Sequence, residues 1–547
     1  MSVGAQISPV PDDPASETVD VVVVGAGFSG VYAIHRLRQA GHSVLCLEAG
    51  DGVGGTWYWN RYPGARVDIE SVQYSYSFDE ALQQEWVWPE LFSPQEDIER
   101  YINHVVDRFD LRRSIRFNAR VDSVVFDEGE RRWRVSTEAG QRVTARYVVA
   151  ATGPLDATNI PRFPGADTFT GAMHHTSQWP REGVDLRGKR VGVIGTGSTG
   201  VQVVPEVART AGHLHVFQRT PAYTVPAHNR PLDPDYEREW KAHYAERRQL
   251  MRHHPNALVL PMTQHGSVFD HTPEVRRAIL EEAWDARSGL LFFFLFTDVL
   301  TDIRANEVVA EWFRGKIREI VRDPEVAELL CPTTYPLGAK RLSIDSGYYD
   351  SFNRDNVTLV DVRRDPIVGL TPDGLRTEGA EYELDVLILA TGFDAMTGSL
   401  LRMNVTGAGG VDLREKWKQT PWNHLGLTVS GFPNLFLVHG PGSPSVLAQM
   451  VTQGEFQVDW IADLIARMEE QGAETVDTTP EAEQTWCAEV TRLANTTLFP
   501  LADSWQKGAN IEGKPQSYMI WVGGFDAFAD RCDEVAASGY PGLVFKP

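Results

Sequence analysis

Two glycine-rich loops constrain the fold of this chain more than any other feature of its sequence. One reads Gly-Ala-Gly-Phe-Ser-Gly at positions 25–30, and the other reads Gly-Thr-Gly-Ser-Thr-Gly at positions 195–200. Each follows a run of apolar, mostly β-branched residues and precedes a helix-like segment and a second strand-like run. The glycines are Gly25, Gly27 and Gly30 in the first loop and Gly195, Gly197 and Gly200 in the second. Such glycines let the backbone approach a pyrophosphate at a helix N-terminus, which predicts an α/β fold with two Rossmann-like dinucleotide-binding domains.

The residue at the end of the second strand differs between the two units. Glu48 stands 48 − 25 = 23 positions after the first glycine, close to the spacing of about 20 expected for an acid that accepts ribose hydroxyls. In the second unit Arg219 stands 219 − 195 = 24 positions on, followed by Thr220. Because arginine pairs with a 2′-phosphate that an acid would repel, the second site favours NADPH over NADH. A solvated surface charge is the alternative role for Arg219.

Composition and charge limit the class of protein. The chain has 547 residues and a formal net charge of −22, so two or three domains are expected and a nucleic-acid partner or anionic lipid is disfavoured. No run of about 20 apolar residues indicates a membrane span, and the N-terminus carries no secretion signal. Four scattered cysteines form neither a C-x-x-C pair nor a metal spacing. A cytoplasmic protein with reduced thiols and no metal site is the simplest interpretation.

The order of these patterns predicts how the domains are arranged along the chain. Residues 1–18, rich in Pro, Ser and Asp, are expected to form a flexible leader. The FAD-binding domain is assigned to 19–150 and 390–547, and the NADP-binding domain to 151–225 and 333–389. Residues 226–332 have helical periodicity and are predicted to form a mainly helical insertion. After a helix over 453–473, the rest of the chain is expected to be loop-rich.

Between the two glycine units lies a third motif. It reads Phe169-x-Gly171-x-x-x-His175-x-x-x-Trp179-Pro180, and it resembles the fingerprint of the type I Baeyer–Villiger monooxygenases. Nearly the whole chain is similar to that family, through GTWYWNRYPGARVD at 55–68, YPLGAKR at 335–341, GPGSPS at 440–445 and DSW at 503–505. The last two stretches resemble the phenylacetone monooxygenase branch more than the cyclohexanone branch.

The resemblance implies FAD and NADPH as cofactors and a ketone and O2 as the small-molecule partners. In the family reaction NADPH reduces FAD, O2 adds at flavin C4a, and the resulting peroxide attacks the ketone to give an ester or lactone and water. Arg341 matches the active-site arginine of the family, and Asp68 matches the aspartate that positions it. Lys340 matches a further contact to the 2′-phosphate, and Trp505 matches a tryptophan on a mobile loop that orders the nicotinamide nucleotide.

Several of these residues also have a structural alternative. Asp68 could cap a short following helix, and Lys340 with Arg341 could be a solvated basic pair. His175 fits a hinge or positioning role better than proton transfer. The aromatic residues of the fingerprint fit packing in the interdomain linker. The residues after the GPGSP turn fit either the substrate lining or plain core: Ser445, Val446, Leu447 and Met450.

Together the loops and the resemblance define a full set of expected cofactor-binding residues. They are Gly25, Gly27, Ser29, Gly30, Glu48, Thr56, Trp57, Trp59, Asp68, Tyr74, Val121, Gly195, Thr196, Gly197, Ser198, Thr199, Gly200, Gln202, Arg219, Thr220, Lys340, Arg341 and Trp505. No metal ligand is expected, and the protein is expected to be a monomer or a weak homo-oligomer.

Three rival classes share part of this pattern. A flavin monooxygenase that oxidises nitrogen or sulfur is disfavoured by the Trp179-Pro180 ending and by the pair Asp68 and Arg341. A disulfide reductase of the same double-Rossmann build is disfavoured because no C-x-x-C follows the first loop. A non-enzymatic nucleotide-binding regulator is disfavoured by the intact active-site residues.

Overall fold

The computed structural model describes residues 17–260, 263–285, 292 and 294–547. Its strands are, in chain order, β1 Glu17–Val24, β2 Val44–Leu47, β3 Ile115–Arg116, β4 Val121–Asp127, β5 Arg132–Thr137, β6 Arg142–Ala150, β7 Ala172–His175, β8 Arg190–Ile194, β9 His213–Gln218, β10 Thr224–Pro226, β11 Ser343–Asp345, β12 Val357–Asp361, β13 Ile367–Thr371, β14 Gly374–Thr377, β15 Glu381–Glu383, β16 Val386–Leu389, β17 Val405–Thr406, β18 Leu435–Leu437, β19 Thr475–Thr478 and β20 Leu543–Lys546.

Helices connect and cover these strands. They are, in chain order, α1 Phe28–Gln39, α2 Thr56–Trp59, α3 Glu80–Glu85, α4 Gln95–Arg108, α5 Ser198–Thr210, α6 Pro234–Ala242, α7 Tyr244–Arg252, α8 Pro273–Asp285, α9 Ile303–Ile320, α10 Pro324–Leu330, α11 Tyr348–Ser351, α12 Gly398–Arg402, α13 Leu413–Lys416, α14 Met450–Glu470, α15 Pro480–Ala494 and α16 Phe525–Ala537. No helix in the described part of the chain is long and apolar enough to cross a membrane.

The larger sheet has the strand order β17-β4-β5-β6-β1-β2-β3, and β18 also pairs with β6. Strand β1 lies inside this sheet, between β6 and β2, and its Val21, Val22 and Val23 are fully buried, as the apolar run before the first glycine loop predicts. The strands β2 and β6 pair with β1 in parallel, and β18 pairs with β6 in parallel. Because parallel strands end at the same edge, the segments that leave these four strands meet there.

The second sheet is parallel throughout, in the order β12-β9-β8-β16-β7. Helix α5 follows the second glycine loop, and its buried valines pack in one cluster with valines of β8. Gly195, Arg219 and His175 follow or end β8, β9 and β7 and therefore lie at one edge of this sheet. The fold is α/β with two nucleotide-binding sheets, as predicted.

The chain crosses between the two sheets twice, and the two crossing segments pair with each other. Thr158 and Phe393 form an antiparallel bridge. Next to it, the Asn159 amide donates to the Gly392 carbonyl at 2.9 Å, and the Thr391 hydroxyl donates to the Asn159 carbonyl at 2.6 Å. Both connections between the sheets are therefore held as one ladder, directly beside the edges where the glycine loops lie.

Outside the sheets the predictions hold in part. Helices α6 to α10 lie within residues 226–332, as the helical periodicity predicts, and the exact domain boundaries remain a prediction. Residues 1–16 of the expected leader lie outside the described residues, while Glu17 and Thr18 already pair with β6. The loop-rich ending is wrong, because α15 and α16 occupy much of it. The start of α15 was readable: Thr479 caps the helix and Pro480 stands at its first position.

Replacing Gly30 tests the close packing of α1 on the first loop. A Cβ on Gly30 would lie 1.9 Å from the Gly25 carbonyl oxygen, so Gly30→Ala must displace the loop. We expect the free energy of unfolding to fall by about 1–3 kcal/mol and the purified protein to lose most of its flavin absorbance. Gly315→Ala is the matched control, since nothing lies within 4 Å of a Cβ in that helix. Full flavin content in Gly30→Ala would contradict the role of this glycine.

Candidate active site

A cavity of about 590 Å³ lies at the carboxyl edge of the larger sheet. The segments that leave β1, β2, β6 and β18 all line it, at Gly25, Glu48, Thr152 and His439. Among the residues expected to bind a cofactor, those that line this cavity are Gly25, Gly27, Ser29, Glu48, Thr56, Trp57, Trp59, Tyr74 and Val121. The first glycine loop and the aromatic segment after it are therefore brought together around one space.

Two glycines that line this cavity lie too close to neighbouring backbone to carry a side chain. A Cβ on Gly25 would lie 2.8 Å from the Ala151 carbonyl oxygen, and a Cβ on Gly55 would lie 2.9 Å from the Gly27 Cα. Gly25 also has a φ of +98°, which favours glycine. Gly30 does not line the cavity and closes α1 against the loop instead. This cradle before a helix N-terminus fits the pyrophosphate of a dinucleotide.

Glu48 lies at the end of β2 with only 4% of its surface exposed. Its two carboxylate oxygens accept hydrogen bonds from the Ala26 amide at 2.6 Å and the Gly50 amide at 2.7 Å. Burial raises the pKa of Glu48, and the two backbone donors partly offset this effect. Each oxygen can accept a further hydrogen bond, so Glu48 can bind ribose hydroxyls in the cavity that it lines.

A buried histidine that the sequence did not single out belongs to the same cavity. His439 follows β18, and its Nε2 lies 2.8 Å from the Ser29 hydroxyl of the first loop. Its backbone amide donates to Gln457 at 2.7 Å. Burial lowers the pKa of His439 to about 4, so the ring is neutral near pH 7. It lies 410 positions from Ser29, and no local pattern could have indicated this contact.

The second glycine loop has the same construction. A Cβ on Gly195 would lie 2.3 Å from the Ala390 carbonyl oxygen, and one on Gly200 would lie 2.2 Å from the Gly195 carbonyl oxygen. Nothing lies within 4 Å of a Cβ on Gly197, so this glycine faces open space. The loop therefore has the shape of a second dinucleotide cradle, at the carboxyl edge of the second sheet.

Polar side chains of this loop bond to neighbouring segments. The Thr196 hydroxyl donates to the Thr220 carbonyl at 2.7 Å, and the Ser343 hydroxyl donates to the Ser198 hydroxyl at 2.9 Å. Gln202, on α5, connects the end of this loop to the segment after α2, because its side-chain oxygen accepts from the Tyr62 hydroxyl at 2.8 Å. Thr199 also lies against that hydroxyl. These bonds fix the loop that would hold the second nucleotide.

Basic side chains gather where a 2′-phosphate would lie. Arg219 is exposed, and its charge is close enough to lower the pKa of Lys340. Burial is the larger cause of that shift, Lys507 adds to it, and Asp503 opposes it. The Lys340 ammonium also lies over the Tyr335 ring, 4.9 Å from its centre. Crowded cations of this kind favour an anionic ligand, and the assignment of Arg219 to the 2′-phosphate remains a prediction.

Asp68 and Arg341 form an ion pair across 273 positions of sequence. The Nε and Nη2 atoms of Arg341 lie 2.7 and 2.6 Å from one Asp68 oxygen. The two side chains are 23% and 25% exposed. Arg341 Nη1 also donates to the Val446 carbonyl at 2.8 Å. Three of the five N–H groups of the guanidinium are thereby occupied by described residues, and two remain for an oxygen of a ligand.

The structural alternatives for this pair are wrong. No helix starts after Asp68 before α3 at Glu80, so Asp68 is not a helix cap. Arg341 and Lys340 are half-buried and not solvated. The segment before them is held by Asn306, whose side chain accepts from the Leu337 amide at 3.0 Å and donates to the Leu337 carbonyl at 2.8 Å.

Two aromatic side chains, Trp57 and Tyr74, lie between the cavity and the charges of the ion pair. The Trp57 indole donates to the Tyr74 hydroxyl at 3.0 Å. Burial raises the pKa of Tyr74 to about 12, the Trp57 bond and Arg341 lower it, and Asp68 raises it further. Both rings line the 590 Å³ cavity. The ion pair therefore lies within electrostatic range of the space predicted for the flavin.

The residues of the fingerprint have mainly structural surroundings. A Cβ on Gly171 would meet the Phe169 ring at 2.4 Å, and Trp179 packs in the core of the second sheet. His175 ends β7, is 4% exposed, and its Nδ1 lies 2.8 Å from the Ser177 hydroxyl. Burial lowers the pKa of His175 and the backbone of Gly392 opposes this shift. Pro180 follows the same short segment.

The four residues expected to line the substrate site lie in three different surroundings. Val446 and Leu447 are half-buried in an apolar cluster that also contains Trp505 and Met519. Met450 lines the flavin-side cavity. Ser445 is fully buried, and its hydroxyl, amide and carbonyl all bond to protein, so it has no free polar atom for a substrate.

Neither metal nor disulfide chemistry has a site among the described residues. No group of three or more His, Cys, Asp or Glu side chains there could hold a metal ion. The four cysteines are all free thiols. Two dinucleotide cradles in one chain fit a flavoprotein that a nicotinamide nucleotide reduces.

Comparisons with known proteins agree with this class. The family profile described as pyridine nucleotide-disulphide oxidoreductase matches residues 22–282. A Baeyer-Villiger monooxygenase of Pseudooceanicola batsensis is 44% identical over 96% of both chains. The phenazine N-monooxygenase PhzNO1 of Lysobacter antibioticus is 40% identical over 96% of this chain and 96% of its own. Among solved structures, an oxidized steroid monooxygenase bound to NADP is 50% identical with a TM-score of 0.92, and covers 97% of this chain and 99% of its own. A complex of OTEMO with FAD and NADP is 39% identical with a TM-score of 0.93, and covers 97% of this chain and all of its own, 100%.

The chain therefore belongs to the Baeyer–Villiger monooxygenases. It is an FAD- and NADPH-dependent enzyme that converts ketones to esters or lactones with O2. The phenazine N-monooxygenase is 40% identical to this chain and an acetone monooxygenase of Gordonia sp. is 39% identical, so overall similarity alone does not separate nitrogen-oxidising from ketone-oxidising relatives. Membership of the phenylacetone branch remains a prediction.

Removing both basic side chains at the second site tests the phosphate assignment. Hydrogen bonds to charged groups contribute about 1.5–3 kcal/mol each, so the loss of one from each residue in Arg219→Ala with Lys340→Ala should raise the Michaelis constant for NADPH by at least about a hundred-fold. The constant for NADH should change by less than about three-fold. Steady-state NAD(P)H oxidation measures both, with Arg187→Ala as an exposed control that bonds only to Asp185 in the structure. Equal effects on the two nucleotides would contradict the assignment.

Proposed function

We propose that Arg341, held by Asp68, is the residue that stabilises negative charge on oxygen during ketone oxidation. The observation that carries this proposal is the pair itself: a guanidinium fixed at three N–H groups, with two left to point at a reacting oxygen. Arginine suits this task because it keeps its proton, and a partly buried site strengthens its field. Asp68 fixes the orientation of the guanidinium and does not transfer a proton.

The surrounding residues bind and orient the cofactors. We propose that Glu48, Ser29 and His439 hold FAD at the first loop, and that the second loop holds NADPH through Arg219 and Lys340. Bound FAD and NADPH supply hydride transfer and the activation of O2. Trp57 and Tyr74 pack at the flavin end of the cavity. Thr220 bonds through its carbonyl to the second loop and orients Arg219 beside the phosphate.

An apolar ketone is the substrate class that the site fits best. Val446, Leu447 and Met450 are the residues proposed to contact it, since their side chains are apolar, the Val446 carbonyl bonds to Arg341, and Met450 lines the flavin-side cavity. Trp505 belongs to the same apolar cluster as the first two, and we propose that it covers the substrate and the nicotinamide. Water excluded by this cover cannot compete for the two free N–H groups of Arg341. Ser445 supports the lining from behind.

His175 is proposed as a positioning residue of the hinge. It ends β7 beside β16 and faces Gly392 and Phe393, which belong to the paired crossing segments. Burial lowers the pKa of His175, and the described residues give it no ionised partner. Both observations favour a role in the hinge between the two sheets over proton transfer. The free thiols of all four cysteines support a reducing compartment such as the cytoplasm. A monomer or weak homo-oligomer remains our proposal.

One assay tests the catalytic proposal. The FAD-loaded enzyme is supplied with NADPH, O2 and a panel of cyclic, aryl and long-chain ketones, and the products are identified by mass. We expect the wild type to form ester or lactone, and Arg341→Ala to retain FAD and accept hydride while ester formation falls at least about a hundred-fold.

Arg36→Ala is the matched control for this variant. Arg36 is 30% exposed and pairs with Asp459 and Asp463, so its loss also removes a partly buried arginine that is ion-paired, here between α1 and α14. We expect the control to form ester at the wild-type rate. Ester formation by Arg341→Ala at the wild-type rate would remove Arg341 from its role. Ester formation by neither the wild type nor any variant would contradict ketone oxidation itself.

A further inference from the structure

A buried glutamine on α14 forms hydrogen bonds with the turn whose backbone also bonds to Arg341. Gln453 is fully buried. Its side-chain oxygen accepts from the Ser445 amide at 2.9 Å, and its side-chain nitrogen donates to the Ser445 carbonyl at 3.0 Å. Both backbone polar groups of one residue are thus held by one amide, as a neighbouring strand would hold them. We call this the amide clamp.

The clamped residue has a backbone conformation that needs support. Ser445 has a φ of +48°, the left-handed region that residues with a Cβ seldom adopt. It begins a short 3-10 turn, Ser445–Leu447, whose first amide has no partner inside the turn. Gln453 supplies that partner. A second support is the Ser445 hydroxyl, which lies 3.4 Å from the sulfur of Met396.

Ser445, which the amide clamp holds, directly precedes the residue whose carbonyl bonds to Arg341. The carbonyl of Val446, directly after Ser445, accepts the third fixed N–H of Arg341 at 2.8 Å. The direction of that carbonyl follows from the φ and ψ angles of Ser445 and Val446. If Ser445 relaxes to a right-handed or extended conformation, the carbonyl turns away and Arg341 keeps only Asp68. The amide clamp therefore controls the orientation of the guanidinium without touching it.

Neighbouring buried groups hold the clamp in turn. Gln457, one helical turn further along α14, lies 3.3 Å from the Gln453 oxygen and also accepts from the His439 amide. His439 itself faces Gln453, and burial keeps this histidine neutral. Because His439 bonds to Ser29 at the flavin-side loop, a test of the clamp must separate loss of flavin from loss of arginine orientation.

We propose that Gln453 is a positioning residue for the oxygenation step, acting through the Ser445–Val446 backbone on Arg341. The proposal rests on the role of Arg341 stated above. A coupled turnover uses one NADPH, one proton, one O2 and one ketone, and gives NADP⁺, one ester and one water. When the guanidinium is misplaced, NADPH, a proton and O2 give NADP⁺ and hydrogen peroxide instead. The clamp thus sets the fraction of NADPH that ends in ester.

The test compares coupling in the FAD-loaded full-length enzyme. Gln453→Met removes both hydrogen bonds with little change of volume. Ester formed and hydrogen peroxide released are measured per NADPH oxidised, together with FAD content and the Michaelis constant for NADPH. We expect coupling to fall about ten-fold, with FAD content unchanged and the Michaelis constant within about two-fold of wild type. Gln453→Asn, whose amide is one methylene shorter, should give an intermediate loss if Gln453→Met does not fold.

Asn434→Ala is the matched control. Asn434 is 1% exposed, has a φ of +60°, and holds the backbone of residues 146, 474 and 476 by hydrogen bonds remote from Arg341. We expect the control to keep wild-type coupling. Wild-type coupling in Gln453→Met, an equal loss in the control, or a loss that follows FAD content alone would each overturn the proposal. If the proposed ketone oxidation itself fails, the wild type forms no ester. If only the clamp proposal fails, the wild type forms ester and Gln453→Met couples as well as the wild type does.

Discussion

The ion pair between Asp68 and Arg341 is the interaction on which the architecture of the active site depends. Asp68 belongs to the segment after the first glycine unit, whereas Arg341 lies just before β11, beyond the helices of residues 226–332. The pair therefore fixes two distant parts of the chain against each other. It is supported nearby by the Tyr62–Gln202 hydrogen bond, which joins the same first segment to the second glycine loop.

Parallel topology explains why the remaining site residues meet around that pair. Each glycine loop leaves an interior strand of its sheet at the carboxyl edge, where the helix N-terminus and the next strand end also lie. Glu48 and Arg219 occupy equivalent places at the two edges and differ in charge. This difference distinguishes the site predicted for FAD from the site predicted for NADPH. The paired crossing segments between the sheets bring His175 and Phe393 close to both edges. A modest rotation about these segments would move the two cradles relative to each other.

Local patterns predicted the elements and the polar residues that belong to short motifs. The two glycine units, Glu48 and the Arg219 position follow from spacing, and Asp68 with Arg341 from stretches that resemble a family. His439 and Asn306 could not be predicted, because they act through contacts with Ser29 and Leu337, which lie 410 and 31 positions away. Gln453 lies only 8 positions from Ser445, but the turn between them has no sequence pattern that indicates the contact. Buried glutamine and asparagine carry no periodic signal that separates a clamp from core. The missed α15 differs, since Thr479 and Pro480 did signal its start.

A double-mutant cycle on the ion pair tests the account most directly. Asp68→Asn, Arg341→Lys and the combined variant are compared with wild type for the rate of ester formation at saturating NADPH and ketone. If Asp68 acts only by orienting Arg341, the two effects are not additive, and the interaction free energy is about 1–3 kcal/mol. Additive effects, with an interaction free energy near zero, would show that the pair is not a catalytic unit and would contradict the account.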